Sequence, residues 1–346
     1  MKKLGIVLSV LLLLFITARG LINLTAVQNI ILEQGTATVA QRGARVLEVS
    51  ESLSIYVCGS ASPLGAGQAQ ACIAVITPDH FYLIDSGSGS TDNINRLGLP
   101  MNRLQGLLLT HFHSDHIAEI YEVNLGSWVA GRPKPMTVFG PPGVDEIVDA
   151  VNSGYRQDRV YRSGHHGEDL LPSALGVLQH KTIAAGTAFE DGDLKITAYM
   201  SEHPPIEPAV GYRIDYRGRS VVVSGDSNVN NETVKITDGA DLLLHDALSL
   251  PTVTSLAKAF ASTGNTRLSK IVTDVTDYHA STKSLIEFNE QSSVDMVAFY
   301  HLVPVPPNAI VKEIFMRGAP DNYVLTEDLM WFELPIDSEE IVVHRP

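Results

Sequence analysis

Short runs of aliphatic and β-branched residues, each stopped by a polar or glycine-rich break, set the rhythm of this chain. Residues 45–49, 53–57, 72–76, 81–84, 105–109 and 136–139 read as strands, and strands return at 181–184, 194–200, 210–215, 220–223, 241–244, 296–300, 323–326 and 329–334. A hairpin forms about Pro78-Asp79-His80, with His80 solvated in the turn, and another about Tyr216-Arg217-Gly218-Arg219. Apolar positions at helical spacing fall in 92–97, 118–129, 144–152, 253–261, 267–273, 282–290 and 308–317. Residues 155–171 are polar and irregular, and their Tyr161, Arg162, His165 and His166 face either substrate or solvent. Strands followed by helices occur twice over, which predicts an α/β fold of two mixed sheets face to face with helices outside.

The first residues break this rhythm. Met1-Lys2-Lys3 precedes a nearly unbroken apolar run to Thr17, and Arg19 stops it before it reaches the length of a comfortable membrane span. This is a secretory signal or a retained N-terminal anchor, and either exports the body to a periplasmic or secreted location. Residues 1–34 read as targeting segment plus linker, and 35–346 as one folded domain. In an exported chain Cys58 and Cys72 either pair, closing a short loop worth about 3 kcal/mol, or stay as buried thiols.

Composition narrows the partners. Of 346 residues, 45% are hydrophobic and 18% charged, enough apolar material for a sizeable core. The formal charge of −14, with no Lys/Arg-rich run, repels a polyanion and disfavours nucleic acid. A small ester substrate then fits better; membrane contact is confined to the N-terminus, and a homodimer is compatible with all of this.

The candidate chemistry centres on residues 110–116, Thr-His-Phe-His-Ser-Asp-His, entered from a strand and left through a helix. His111, His113, Asp115 and His116 can face one cavity, and imidazole and carboxylate suit Zn, Mn or Fe. Burying four such groups without partners would cost several kcal/mol, so a packing explanation is poor. Three further donors end apolar runs downstream: His203, Asp226 and His301. Asp85 ends another, where it can orient the ligand loop.

These pieces, with Cys58-Gly59-Ser60, Leu83-Ile84-Asp85-Ser86-Gly87, Val210-Gly211-Tyr212-Arg213, Val223-Ser224-Gly225-Asp226-Ser227 and residues 241–247, resemble the metallo-β-lactamase superfamily, in the branch of ribonuclease Z and the MBL-type arylsulfatases. The resemblance implies an αββα sandwich. It implies one ion held by His111, His113 and His203, a second by Asp115, His116 and His301, and Asp226 bridging them. Two cations about 3.5–4 Å apart share a water and make a hydroxide nucleophile of it near neutral pH. Asp115 counts among the catalytic groups as well as the ligands. His279 is similar to the family's general-acid histidine, and Asp246 stands where ribonuclease Z has a supporting glutamate. The chain departs from ribonuclease Z after His301, where Leu302-Val303-Pro304 replaces a Ser/Arg stretch, and it shows no long basic arm. The expectation is an exported hydrolase of a sulfate ester or phosphodiester, arylsulfatase- or phosphodiesterase-like, with two divalent ions, zinc first. Ribonuclease Z activity and a non-catalytic metal-binding envelope protein are the alternatives.

Overall fold

A computed structural model describes residues 11, 15–43, 50–64, 67–289 and 291–346. The charged start, most of the first apolar run and the strand expected at 45–49 lie outside the described residues. The chain divides into two units, Met1–Leu47 and Glu48–Pro346. In the first, a helix runs over Thr25–Gly43. It crosses the place where the pattern suggested a change from linker to strands. Among the described residues no single helix is long and apolar enough to cross a membrane. The pair Phe15–Ile22 and Thr25–Thr38 passes by length and composition only when taken together across a 79° bend.

The second unit is built from β1 (Ser52–Gly59), β2 (Cys72–Ile76), β3 (Phe81–Ile84), β4 (Gly106–Leu108), β5 (Thr137–Gly140), β6 (Gln179–Thr182), β7 (Ala188–Asp191), β8 (Leu194–His203), β9 (Ile206–Tyr216), β10 (Arg219–Val223), β11 (Leu242–Leu248), β12 (Met296–Val303), β13 (Tyr323–Leu325), β14 (Trp331–Pro335) and β15 (Val342–His344). Among the described residues they make two mixed sheets, ordered β15-β14-β1-β2-β3-β4-β5-β6 and β13-β12-β11-β10-β9-β8-β7. One buried cluster takes Leu53, Ile55, Val75 and Phe332 from the first sheet and Ile196, Tyr212, Val221 and Leu244 from the second, so the sheets pack face to face. Leu243, Val297 and Phe299 point the other way, onto Leu285 and Phe288 of helix Thr282–Asn289 and Phe315 of helix Ala309–Phe315. Strands buried on both faces read as unbroken apolar runs, which is why β1, β2, β3 and β11 stood out.

Several local expectations change. Residues Arg156–His166 are a helix, not an irregular segment; Arg159 and Ser163 bury one side of it and hide its period behind polar names. His80 is buried, bonded through Nδ1 to Thr77 Oγ1 at 2.8 Å, so the hairpin turn is packed instead of solvated. Strands β7 and β15 carry too little apolar signal to have been read. Cys58 and Cys72 are joined as a disulfide.

Polar ties join the two sheets near the ligand loop; Val210 N of β9 donates to Thr110 O at 3.0 Å. Tyr212, fully buried on β9, donates from its hydroxyl to Leu109 O at 2.6 Å, where β4 runs out into Thr110. Replacing Tyr212 by Phe should destabilise the fold by about 1–2 kcal/mol, because a buried carbonyl loses its donor. Chemical denaturation of the two proteins measures this, and equal midpoints would remove the tie from the account.

Candidate metal centre

The ligand loop is shaped by Asp85, which ends β3 with φ +58°. Its Oδ1 accepts from Thr110 N at 2.9 Å, and its Oδ2 from Thr110 Oγ1 and His116 Nδ1, each at 2.8 Å. His111 Nδ1 lies 3.1 Å from Thr110 Oγ1. Both rings therefore spend Nδ1 on the support and present Nε2 to the interior. Just beyond, the one-turn helix Ser114–Ile117 swings Asp115 and His116 back under the histidines, and both are buried.

The downstream donors arrive from the second sheet through irregular backbone. His203 ends β8 after a register shift between Ser201 and His203. Its Nδ1 donates to Tyr278 O at 3.0 Å, leaving Nε2 for the centre. Gly225, with φ +63°, lets the chain leaving β10 press against Thr110; a Cβ there would sit 2.8 Å from Thr110 Cβ. Asp226 follows. His301 is the extra residue of a bulge: Asp246 pairs with Tyr300 and Ala247 with Leu302, so His301 is skipped and takes φ +45°. A bulge re-aims a side chain that regular pleating would send elsewhere.

All seven donors converge. His111 Nε2 is 2.9 Å from His113 Nδ1, and His203 Nε2 is 3.3 Å from the same atom. Asp226 Oδ2 lies 3.8 Å from both His111 Nε2 and His203 Nε2. Its Oδ1 lies 3.3 Å from both His116 Nε2 and His301 Nδ1. Asp115 Oδ2 is 3.0 Å from His301 Nε2 and 3.5 Å from His116 Nε2. One carboxylate thus turns one oxygen to each of two donor groups, His111-His113-His203-Asp226 and Asp115-His116-Asp226-His301, whose ligand atoms lie within 4.8 Å of one another.

These residues fit divalent cations. His116 Nε2, Asp226 Oδ1 and His301 Nδ1 are buried and have no hydrogen-bond partner. Buried polar atoms are rarely left so, and three in one cluster of imidazole and carboxylate match the donor chemistry of such ions. Burial would push the Asp226 carboxyl up, but the charges of His301 and His116 outweigh it and hold it well below the usual range. Burial likewise opposes a proton on His116; Asp226 and Asp85 outweigh that and raise it well above the ordinary value. His111 is pushed well down, by burial first and then by His116. A divalent cation held here by His116, Asp226 and His301 would compete with a proton for the His116 nitrogen.

A third group abuts the first two. His279 Nδ1 is 2.7 Å from Asp246 Oδ2, with Asp246 fully buried, and the His279 ring is 5.5 Å from that of His301 and 5.4 Å from that of His203. The shorter aspartate reaches because β11 and the loop before helix Thr282–Asn289 are tied together: Leu248 N donates to Ala280 O at 2.7 Å, and Ala280 N to Ser227 O at 3.1 Å. His245, not singled out from the sequence, places Nδ1 2.9 Å from Asp246 Oδ1. Its signal was there, beside Asp246, but a histidine inside a strand looks like core. His165 and His166 are exposed at the end of their helix.

The family described as "Beta-lactamase superfamily domain" matches residues 80–297. Ribonuclease Z of Mycobacterium bovis (strain BCG) is 30% identical over 256 residues, 73% of this chain and 86% of the relative. Among solved structures, human tRNase Z, short form, superposes with TM-score 0.55 at 16% identity, covering 82% of this chain and all of that one (100%). Zinc-bound PqqB from Methylobacterium extorquens gives TM-score 0.55 at 16% identity, covering 82% and 100%. The relative named ribonuclease Z overturns two expectations, a small sulfate ester or phosphodiester as substrate and nucleic acid as a disfavoured partner. A charge of −14 belongs to the whole surface; the potential at a site is set by its nearest charges, and bound cations would be the largest of them.

Because both donor groups share Asp226, its replacement by Ala should remove both ions at once. Elemental analysis of the variant, after dialysis against a chelator that leaves the parent loaded, is expected to show less than about a tenth of the parent's metal, because losing a shared ligand costs more affinity than losing an outer support. Retention of either ion at parental affinity would refute the sharing.

Proposed function

The chain belongs to the metallo-β-lactamase superfamily and is a hydrolase of ester bonds, and we propose that the ester it cuts is a phosphodiester in an RNA strand, in the manner of ribonuclease Z. The observation that carries this reading is the ribonuclease Z relative, matched over 86% of its length. The arrangement around Asp226 is in keeping with it. His111, His113 and His203 would hold one cation, Asp115, His116 and His301 a second, and Asp226 would reach both. Zinc is the first choice for so many imidazoles, with Mn and Fe also suited, and the zinc-bound neighbour of the same fold supports it. Bound there, divalent cations polarise a phosphoryl oxygen and acidify a water.

The chain's own residues supply the remaining needs. His279 has Nδ1 committed to Asp246, which leaves Nε2 as the nitrogen that can hand a proton to the leaving oxygen. Burial opposes that proton, but the hydrogen bond to Asp246 and the charge of Asp226 outweigh it and raise His279 above its ordinary value. Burial also pushes Asp246 up, and the bonds from His245 and His279 bring it down, so it stays an acceptor. Ser227 N donates to Asp246 Oδ1 at 3.2 Å and fixes the carboxylate further. Thus the sheet holds Asp246, and Asp246 holds the tautomer and the proton of His279.

Two measurements test this. The purified, metal-loaded chain should cleave a precursor transfer RNA carrying a 3′ trailer, with a rate constant that falls steeply as salt rises, since phosphate contacts release counterions. An intact RNA beside an actively hydrolysed bis-aryl phosphate would sink the RNA reading. For the pair, the protonated form of His279 is the active one, so activity is lost as pH rises through its raised value. Asp246→Asn removes the group that raises it, and the basic limb of kcat/KM should move down by about one pH unit, the worth of a charged hydrogen bond. An unmoved limb, with kcat merely scaled, would take the proton-donor role from His279.

A further inference from the structure

We propose that the Cys58–Cys72 disulfide is a positioning element for one half of the metal centre, the half lined by Asp115, His116 and His301. This rests on the two-ion reading above. The bridge joins β1 to the first residue of β2 across a sequence separation of 14, with both cysteines fully buried. The loop it closes touches both chain segments that carry this half.

Its first end grips the bulge. Ser60 O accepts from Leu302 N at 2.9 Å, and Ser62 Oγ donates to Leu302 O at 2.8 Å. Leu302 is the residue after His301, whose left-handed backbone persists only where its surroundings over-determine it. Ser60 is itself held, donating from N and Oγ to Asp328 Oδ1 at 3.0 and 2.8 Å. Asn93 Nδ2 ties the same unit together, donating to Cys58 O at 3.0 Å and to Asp328 Oδ2 at 2.8 Å.

Its second end grips the support of the ligand loop. Gln70 N donates to Ser88 O, and Gly87 N to Ala71 O, each at 2.9 Å. Gly87 packs so closely that a Cβ there would fall 2.1 Å from Asp115 O. One residue earlier, Ser86 N donates to His116 O at 2.7 Å, and before it stands Asp85, the partner of His116 Nδ1. The bridge therefore fixes the distance between a segment that aims His301 and a segment that aims Asp115 and His116. Of the other half, His203 is supported elsewhere, by Tyr278 O, while His111 reaches Asp85 only at second hand, through Thr110.

A cross-link also restrains the unfolded chain and so stabilises the whole fold. The experiment must separate that from the local role. Zinc alone is titrated against a chromophoric chelator into the full chain and into a Cys58→Ala, Cys72→Ala double variant. The parent is expected to bind two ions. In the double variant one step should weaken by about 10–100-fold, the usual loss when an outer support of a ligand is removed, while the other weakens clearly less. Repeating the comparison in a His203→Ala background, which removes the first half, should preserve the weakening; in a His301→Ala background it should be clearly smaller. Ser62→Ala, which leaves the bridge intact, should weaken the same step and serves if the double variant does not fold. Two unchanged steps, or equal loss at both, overturn the proposal and leave the two-ion reading standing. Fewer than two ions in the parent overturn both.

Discussion

Asp226 sits buried among imidazoles that cannot satisfy it in any single protonation state. If the histidines are neutral, a carboxylate is left in low dielectric without a compensating charge, at a cost of several kcal/mol. If they are protonated, four rings crowded about two oxygens repel one another; His116 gains a proton from the carboxylates while His111 loses its own to burial and to His116. Divalent cations resolve both conflicts together, because they neutralise the carboxylate and accept the lone pairs of the rings. The buried donor set therefore suits divalent cations.

Holding the donor set in place takes backbone that departs from regular strand. Asp85 and His301 are both non-glycine residues at positive φ, and His203 follows a register shift. Asp85 and His203 lie at strand ends, and His301 at a bulge inside β12, places where the sheet stops dictating direction but still fixes position. Supports then spend one nitrogen of three rings, His116, His111 and His203: Asp85 and Thr110 on the first sheet, the Tyr278 carbonyl beside the second. Tyr212 joins the sheets where the ligand loop begins. These ties across the sandwich hold the donor groups in place.

The same distinction explains what the sequence disclosed. Ligands are polar residues at the ends of apolar runs, so His203, Asp226 and His301 are visible in one dimension, as is the dense cluster at 111–116. Buried strands are visible as unbroken aliphatic runs. The bulge at His301 leaves no mark, because it depends on how β11 and β12 are paired. Helix Arg156–His166 hides because its buried side is made by Arg159 and Ser163, and His80 looked exposed because a turn residue is judged by its neighbours and not by what packs over it. Whether Cys58 and Cys72 pair was likewise a question of distance, here 5.0 Å between Cα atoms.

Substrate class was misread for a related reason. Net charge and the lack of a basic run are sums along the chain, whereas a phosphodiester meets only the field where it binds. The carboxylates that make the chain acidic include Asp115 and Asp226, and these are the groups that would draw cations to the cleft. An acidic sequence can thus build a locally positive site once it is loaded, and its acidity is part of the means.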